Sequence, residues 1–470
     1  MKHIILTTAL CTLSSFANAF ITYGNDANCD YNSNQYTLQE IVNLPTSDQI
    51  RITNQNTIFE NLQITKSVDL AGGFESCRAA DANDATGKTT IDGSGLDSVV
   101  SIQPQNTTSY IFLANFTIKN GAALGANKGG GMSIIEGANH RAFVRIHSSL
   151  ISNNSGQYGG GIYMTGQRMD LKLYDTTVIN NNASANGGGL YCYGGDMEIS
   201  DGSGVILNNA YNTSASLGNG GGIYAANECS VIIRSGTSGS LFDFKGISGN
   251  TASNHGGGIY ATSTAQITLD SVTYNQVINI NENVADSDLN GSGTGGGIHI
   301  TSPGTKAILY GTLIENNTAV HGGGLAATHG ASLFIQKGYN RCWNDKKCNV
   351  ITQNKTHDHG GLGGAIYLIN GHVHTSYTFF HQNRANSGAV LYADSGSTAF
   401  FRTSFIFDNG NNGQDGWNDE YTLRLNNSYL ILNQVTMANN KTMNASIYLN
   451  GGDTYRVENS IIYEPIVGTG

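Results

Sequence analysis

The sequence is poor in the features that mark linkers, nucleic-acid surfaces and membrane-spanning helices. Four prolines in 470 residues leave few places for a rigid linker, so we expect one long body. Only 12% of the residues are charged, and the net charge is −10. The sequence therefore lacks the excess of basic residues that binding to a nucleic acid requires. No later segment offers about 18 consecutive apolar residues, so no transmembrane segment is predicted.

The first residues have the pattern of an export signal. Lys2 and His3 precede an apolar run over 4–13, and Ala17 and Ala19 form a small-residue cleavage site. We therefore predict a signal peptide over 1–19. Export permits disulfides, and six cysteines follow the predicted cleavage site without any CxxC pair of metal-binding spacing. Spacing does not fix the pairing; nearest neighbours along the chain would pair as Cys29–Cys77, Cys192–Cys229 and Cys342–Cys348.

Glycine, by contrast, is abundant, with 61 residues that include many triplets followed by Ile or Leu and then Tyr. A second signature, an apolar residue followed three positions later by Asn, precedes most of these clusters. It is read at Ile151/Asn154, Ile179/Asn182, Ile206/Asn209, Ile247/Asn250, Ile280/Asn283, Ile314/Asn317, Ile351/Asn354, Phe380/Asn383, Ile406/Asn409 and Met437/Asn440. A fixed signature at elastic intervals of about 30 residues indicates a structural repeat with loop insertions.

Within each unit the apolar residues alternate with polar ones, as in Leu171-Lys172-Leu173, which is typical of short strands. Three short strands cannot bury an apolar face alone, but stacked units can. The prediction is an all-β parallel β-helix with three short strands per coil. Asn would form a ladder at one bend, and Gly would allow positive φ at another. We expect a cap with a short helix and the first strand over 20–58 and the solenoid over 59–470, with the clearest repeats over 129–450.

These motifs resemble those of the right-handed parallel β-helix, or pectin-lyase-like, superfamily. They are also similar to the repeats of polymorphic outer-membrane protein passengers, which alternate FxxN and GGA(I/L). The nearest matches are Phe380–Asn383 and Gly363–Ile366. The resemblance implies a β-helix displayed outside a bacterial cell or on its outer membrane.

The tyrosines after the glycine triplets point away from the core, because side chains alternate along a strand. One interpretation is an aromatic strip that stacks on sugar rings. The other is a structural ladder in which the rings pack on each other. The candidate ligand-binding residues are Tyr163, Tyr191, Tyr224, Tyr260 and Tyr367.

Catalytic candidates come from the resemblance to pectin-lyase-like enzymes, which carry acidic and basic clusters on one sheet face. Asp175 and Asp201 are predicted at equivalent places on successive coils, with Arg234 and Asp270 close to the same column. Two carboxylates about 5 Å apart would suit a retaining glycosidase. The sequence has no NTD, DD or GHG motif, however, and capping of turns is the competing role for these aspartates.

No cofactor is predicted, with calcium as the one exception. Asp286, Asp288 and Asn290 place oxygen ligands at alternate positions, as in the first half of an EF-hand loop, but Gly297 stands where a bidentate Glu is required. An insertion loop is the alternative. His372 and His374 share a strand face and could chelate a metal, although no carboxylate or thiolate lies at a fixed distance from them.

These observations favour a secreted or cell-surface β-helix that acts as an adhesin or glycan-contacting scaffold. Its partner would be a carbohydrate or a host or cell-surface component. Two alternatives stay open, because this fold hosts several functions. The first is a polysaccharide lyase or glycoside hydrolase, and the second is a purely structural envelope protein.

Overall fold

The computed structural model of the protein describes residues 20–468 apart from short gaps. Outside the description lie residues 1–19, 46–47, 106–107, 124, 126–127, 138–139, 215, 236–245, 272–276, 339–347, 358–359, 451 and 469–470. The predicted signal peptide and Cys342 therefore lie outside the described residues.

The described strands form four sheets, and the named strands pair in parallel throughout. Sheet 1 has 16 strands, in spatial order Tyr31–Asn32, Ile21–Gly24, Gln49–Thr53, Val68–Phe74, Ser109–Ala114, Ala142–His147, Met169–Tyr174, Asp196–Ser200, Ser230–Arg234, Gln266–Asp270, Lys306–Tyr310, Ser332–Gln336, His372–Ser376, Thr398–Arg402, Tyr429–Asn433 and Thr454–Glu458. Sheet 2 has 13 strands, Thr89–Asp92, Phe116–Lys119, Leu150–Ser152, Thr177–Ile179, Gly204–Ile206, Gly246–Ser248, Ile278–Asn281, Thr312–Glu315, Asn349–Thr352, Thr378–His381, Phe405–Phe407, Thr436–Ala438 and Ile461–Ile462.

A short bend sheet and a third long sheet complete each turn of the solenoid. The bend sheet has eight strands, Ala122–Ala123, Ser155–Tyr158, Asn182–Asn186, Asn209–Ala210, Thr251–Ala252, Val284–Ala285, Thr318–Ala319 and Lys355–Thr356. Sheet 3 has 14 strands, Leu62–Ile64, Val100–Ile102, Met132–Ile135, Ile162–Thr165, Leu190–Tyr193, Ile223–Ala226, Ile259–Ala261, Ile298–Thr301, Leu325–Thr328, Ile366–Ile369, Leu391–Asp394, Tyr421–Asn426, Ala445–Asn450 and Ile466–Gly468. The chain passes from sheet 1 to sheet 2, through the bend sheet, to sheet 3 and back, which confirms the parallel β-helix.

The core is built from the inward residues of these alternating strands. In sheet 3 one inward column contains Ile162, Leu190, Ile223, Ile259 and Ile298, all fully buried. Each coil covers the apolar face of its neighbours, so the buried area grows with every coil added. The bend sheet was not predicted, since its strands are mostly two residues long and carry no readable alternation.

The Asn ladder exists, but the sequence prediction placed two of its members wrongly. Asn181 and Asn208, not Asn182 and Asn209, belong to it. The reason is that Val178 pairs with Ile151 and points inward, which shifts the coil by one residue. The ladder contains Asn154, Asn181, Asn208, Asn250, Asn283, Asn317, Asn354, Asn383, Asn409 and Asn440.

Each amide of this ladder bridges neighbouring coils. The Asn181 Nδ2 donates to the Ile151 carbonyl at 2.9 Å and to Asn208 Oδ1 at 3.0 Å. The same Asn208 oxygen also accepts from the Asn181 backbone N–H at 3.0 Å. A buried amide satisfied in this way resists substitution, because removal of one member leaves its neighbours without a partner.

The glycine triplet is required where the chain enters sheet 3. Gly187 has φ of 69°, which side-chain-bearing residues rarely adopt. A Cβ on the next residue, Gly188, would lie 2.4 Å from the Gly221 carbonyl oxygen of the adjacent coil. The triplets therefore serve backbone stacking and have no need of a ligand to explain them.

A short helix, Leu38–Val42, covers the first coils, and a second helix spans Cys77–Asp81. Thr37 and Glu40 cap the first helix reciprocally, and its apolar residues are buried. Sheet 1 already begins inside the segment predicted as cap, at Ile21–Gly24. No described helix is long and apolar enough to cross a membrane.

Two of the three expected disulfides are confirmed. Cys29 is bonded to Cys77, and Cys192 is bonded to Cys229. Cys348 is also disulfide-bonded, but its expected partner lies outside the described residues, so this third pairing stays a prediction.

Candidate functional site

The tyrosines after the glycine triplets form the predicted ladder on the outer side of sheet 3. Tyr191 stacks on Tyr163 with ring centroids 5.2 Å apart and on Tyr224 with centroids 4.9 Å apart. The rings of Tyr191 and Tyr224 are 1° from parallel. Tyr224 stacks in turn on Tyr260 at 5.3 Å, and Tyr367 stacks on Tyr392 at 5.7 Å. A ring inside such a stack has both of its faces covered by other rings.

Residues just before the glycine triplets fold over this ladder and cover part of it. Tyr158 lies 5.0 Å from Tyr191, and His321 lies 4.9 Å from Tyr367, measured between ring centroids. Burial raises the pKa of Tyr260 to about 12 and that of Tyr367 to about 12. The geometry favours the structural role, and sugar binding by these tyrosines stays a prediction.

The carboxylate candidates lie at the corner between sheets 1 and 2. Asp175 and Asp201 are stacked bend residues with φ of 44° and 47°, and the Asp175 N–H donates to the Asp201 carbonyl at 2.7 Å. Arg234 and Asp270 are opposite each other one column earlier, at the ends of sheet 1 strands. Arg234 forms an ion pair with Glu198 at 2.7 Å. Positive φ at both aspartates fits the capping role that competed with catalysis.

The loop that was a candidate calcium site is held together by hydrogen bonds among its own residues. Asp286 is buried, and its carboxylate accepts from the Gly291 N–H at 3.1 Å and the Ser292 N–H at 3.4 Å. Asp288 accepts from the Asn290 side chain at 3.0 Å. Burial raises the pKa of Asp286. Calcium binding here stays a prediction, and an insertion loop accounts for these contacts without an ion.

The outward face of sheet 1 is a second aromatic surface, which the sequence interpretation missed. Its strands place outward side chains in columns that run along the solenoid axis. One such column begins Tyr110, Phe143, Asp170, and the next begins Phe112, Arg145, Lys172. Tyr110, at the end of its stack, is 63% exposed, whereas Phe112 and Phe143 are half-buried, like most of the sheet 3 tyrosines.

A groove of about 550 Å³ lies on this face near the N-terminal end. Tyr110 and Phe143 stack at 5.0 Å with their rings 7° from parallel and form one wall. Asp69 projects into the groove; burial raises the pKa of its carboxyl, and the nearby Arg51 opposes that rise. The groove therefore combines ring faces with a carboxylate, the mixture that carbohydrate and amine ligands require.

A smaller groove of about 300 Å³ lies nearer the C-terminal end of the same face. It is lined by Phe334, Phe400 and the two histidines of the strand His372–Ser376. His374 packs edge-on against Phe400 at 5.8 Å, and His372 Nδ1 lies 2.7 Å from Thr398 Oγ1. The two histidines do share the outward face, as predicted. Metal binding by them stays a prediction.

Comparison with known proteins gives one match. Residues 247–262 match the Chlamydia polymorphic membrane protein repeat. This segment begins at Ile247, includes Asn250 of the ladder, and ends just after the glycine triplet and Tyr260. No curated protein and no solved structure gives a significant match to the chain. The chain is thus a parallel β-helix that carries this repeat and resembles the passengers of polymorphic membrane proteins.

Proposed function

We propose that the protein is a surface-displayed adhesin that contacts glycans through the outward face of sheet 1. The repeat family is associated with the bacterial outer membrane or cell surface, which supports a location facing the outside. The observation that carries the glycan proposal is the solvent-facing Tyr110–Phe143 stack beside Asp69 in a groove. Exposed ring faces with nearby polar groups suit the apolar faces and hydroxyls of sugars.

The length of sheet 1 also supports this proposal. Seven coil steps separate the strand Ala142–His147 from the strand His372–Ser376, so the two grooves lie about 34 Å apart at about 4.8 Å per step. A linear polymer along the axis would therefore reach both. Two weak contacts on one chain bind together more tightly than either does alone.

Retention on immobilised polysaccharides tests this function. Full-length protein is passed over acidic, neutral and amine-bearing polysaccharides, and the eluate is assayed for new reducing or unsaturated ends. Retention without new ends is the expected result. Tyr110→Ala should weaken retention, whereas Tyr211→Ala, also at an exposed tyrosine but outside sheet 1, serves as the control.

The rival functions give different results in the same assay. New chain ends that disappear on Asp175→Ala or Asp201→Ala would replace the adhesin with a lyase or hydrolase. Neither retention nor cleavage on any polysaccharide would favour a purely structural protein of the envelope.

A further inference from the structure

Tyr110 and Phe143 form a stack of two rings on sheet 1, and the strand next to Tyr110 supplies no ring to continue it. One face of the Tyr110 ring stacks on Phe143. On the other side the neighbouring strand brings Ser67, whose Oγ accepts from the Tyr110 N–H at 3.0 Å. Serine has no ring to cover Tyr110, and both residues line the 550 Å³ groove. The groove is therefore a place where one more ring would continue the stack.

The charged residues that line the groove are two aspartates and one arginine. Among the described residues, the carboxylates of Asp48 and Asp69 form no ion pair and accept no side-chain hydrogen bond, and both line the groove. Three arginines lie nearby. Arg141 lies over the Phe143 ring at 4.5 Å. Burial raises the pKa of Asp69, and the charge of Arg51 lowers it in part. Arg145 is paired with Asp170 at 2.8 Å. The Arg51 guanidinium donates to the Ala80 carbonyl and lies over the Phe20 ring.

We propose that this groove binds an amino-sugar unit of a glycan, with its ring stacked on Tyr110 and its amine and hydroxyls donating to Asp69 and Asp48. A pyranose ring supplies a flat C–H face at the stacking distance, and a protonated amine matches the two carboxylates. A uronic acid would place a third negative charge beside them. A lysine side chain offers the cation without the ring face. The proposal rests on the proposed glycan-binding function and names the sugar and the site.

Calorimetric titration of the full chain with four short oligosaccharides tests the choice of sugar. The probes are tetramers of glucosamine, N-acetylglucosamine, glucose and galacturonic acid. The expected order of affinity is the free amine first, the two neutral sugars about tenfold weaker, and the uronate weakest. Asp69→Asn should remove most of the preference for the amine and leave the affinity for neutral sugars within about twofold. Equal or tighter binding of the uronate would overturn the proposal.

A substitution that fills the gap tests the site itself. Ser67→Trp supplies the missing ring and should weaken binding of the glucosamine tetramer at least tenfold. Ser230→Trp adds the same side chain farther along the same sheet 1 column, outside both grooves, and should leave binding unchanged. Tyr110→Phe should retain binding, and Tyr110→Ala should lose it. Thermal unfolding of each variant checks that the fold is intact.

The outcomes separate the site from the function. If the protein is retained on glycans but Ser67→Trp and Ser230→Trp bind equally well, the site is overturned and the adhesin stands. If no glycan is retained, the proposed function fails. A lysine-rich peptide that displaces the glucosamine tetramer and binds more tightly would reassign the groove to a protein partner and overturn the sugar assignment.

Discussion

Sheets 3 and 1 both carry stacked outward aromatic rings, but the sheet 3 ladder is covered by further rings, whereas the sheet 1 stack ends at an exposed ring, Tyr110. In sheet 3 the strand follows the glycine bend immediately, so the residue before the bend folds back over the ladder, as Tyr158 does over Tyr191. On sheet 1 the described ring contact of Tyr110 is the stack on Phe143, and its other face stays accessible. The same side chain is therefore structural in one place and available for binding in the other, and the adjoining bend decides which.

Truncation of a tyrosine side chain in the sheet 3 ladder should give the largest loss of stability. Tyr224→Ala removes a ring stacked on both sides, by Tyr191 and Tyr260, and leaves a gap between coils. We expect a loss of about 3 kcal/mol in the free energy of unfolding, measured by urea denaturation. Glycan retention by the folded fraction should be unchanged. A loss of retention at full stability would move the binding surface to sheet 3.

Acid should destabilise the sheet 3 tyrosine ladder at His299, which stands where the neighbouring coil has Tyr260. His299 is fully buried between two threonines, with Nδ1 2.8 Å from Thr294 Oγ1 and Nε2 3.1 Å from Thr328 Oγ1. The adjacent His255 also contacts Thr294, at 3.0 Å. Burial lowers the pKa of His255 to about 4 and that of His299 well below its usual 6.5.

The sign of the pH effect follows from these directions. The unfolded chain takes up protons near pH 6.5, whereas the folded protein resists protonation at His255 until about pH 4. Stability is therefore full above pH 6.5 and falls as the pH drops from there towards 4, by about 2 to 3 kcal/mol for His255. Thermal unfolding between pH 7.5 and 4.5 measures this decline. His255→Gln should make the decline shallower and leave the part due to His299, and an equally steep decline in that variant would contradict the assignment.

Truncation on sheet 1 should have the smallest effect on stability and a large one on binding. Tyr110→Ala removes a ring that is 63% exposed, so we expect a change below about 0.5 kcal/mol in the free energy of unfolding. Phe400→Ala, at a ring 38% exposed in the second groove, should also leave stability nearly unchanged. Isothermal titration with a retained glycan should show at least tenfold weaker binding for Tyr110→Ala. A large drop in melting temperature would make Tyr110 structural after all.

The sequence predicted the coil but not the arrangement of its outer surface. Period-two alternation and the recurring Asn were enough for the parallel β-helix, and the column of tyrosines followed from their place after each glycine triplet. The predicted position of the Asn ladder was wrong by one residue at Asn181. The run Val178 to Asn182 contains two apolar residues and three successive Asn, so two registers fit the pattern equally well. Only pairing with Ile151 decides between them.

The sheet 1 groove was missed for a related reason. Tyr110 and Phe143 are 33 residues apart, and their stacking depends on the lengths of the loops between their strands. Alternation along one strand says which side chains point outward but not which coils bring them together. The Asn ladder gives no help here, because it begins at Asn154 in the coil of Phe143 and the coil of Tyr110 has Gly121 at that place.

Tyrosine nitration followed by mass spectrometry tests the contrast between the two columns most directly. In the free protein Tyr110 should react rapidly, while Tyr191 and Tyr224 should react slowly because they are half-buried and stacked between neighbouring rings. Addition of a retained glycan should protect Tyr110 and leave the rest of the pattern unchanged. Rapid nitration of Tyr191 and Tyr224 that the glycan suppresses, with Tyr110 unaffected, would contradict the account and place the binding surface on the ladder.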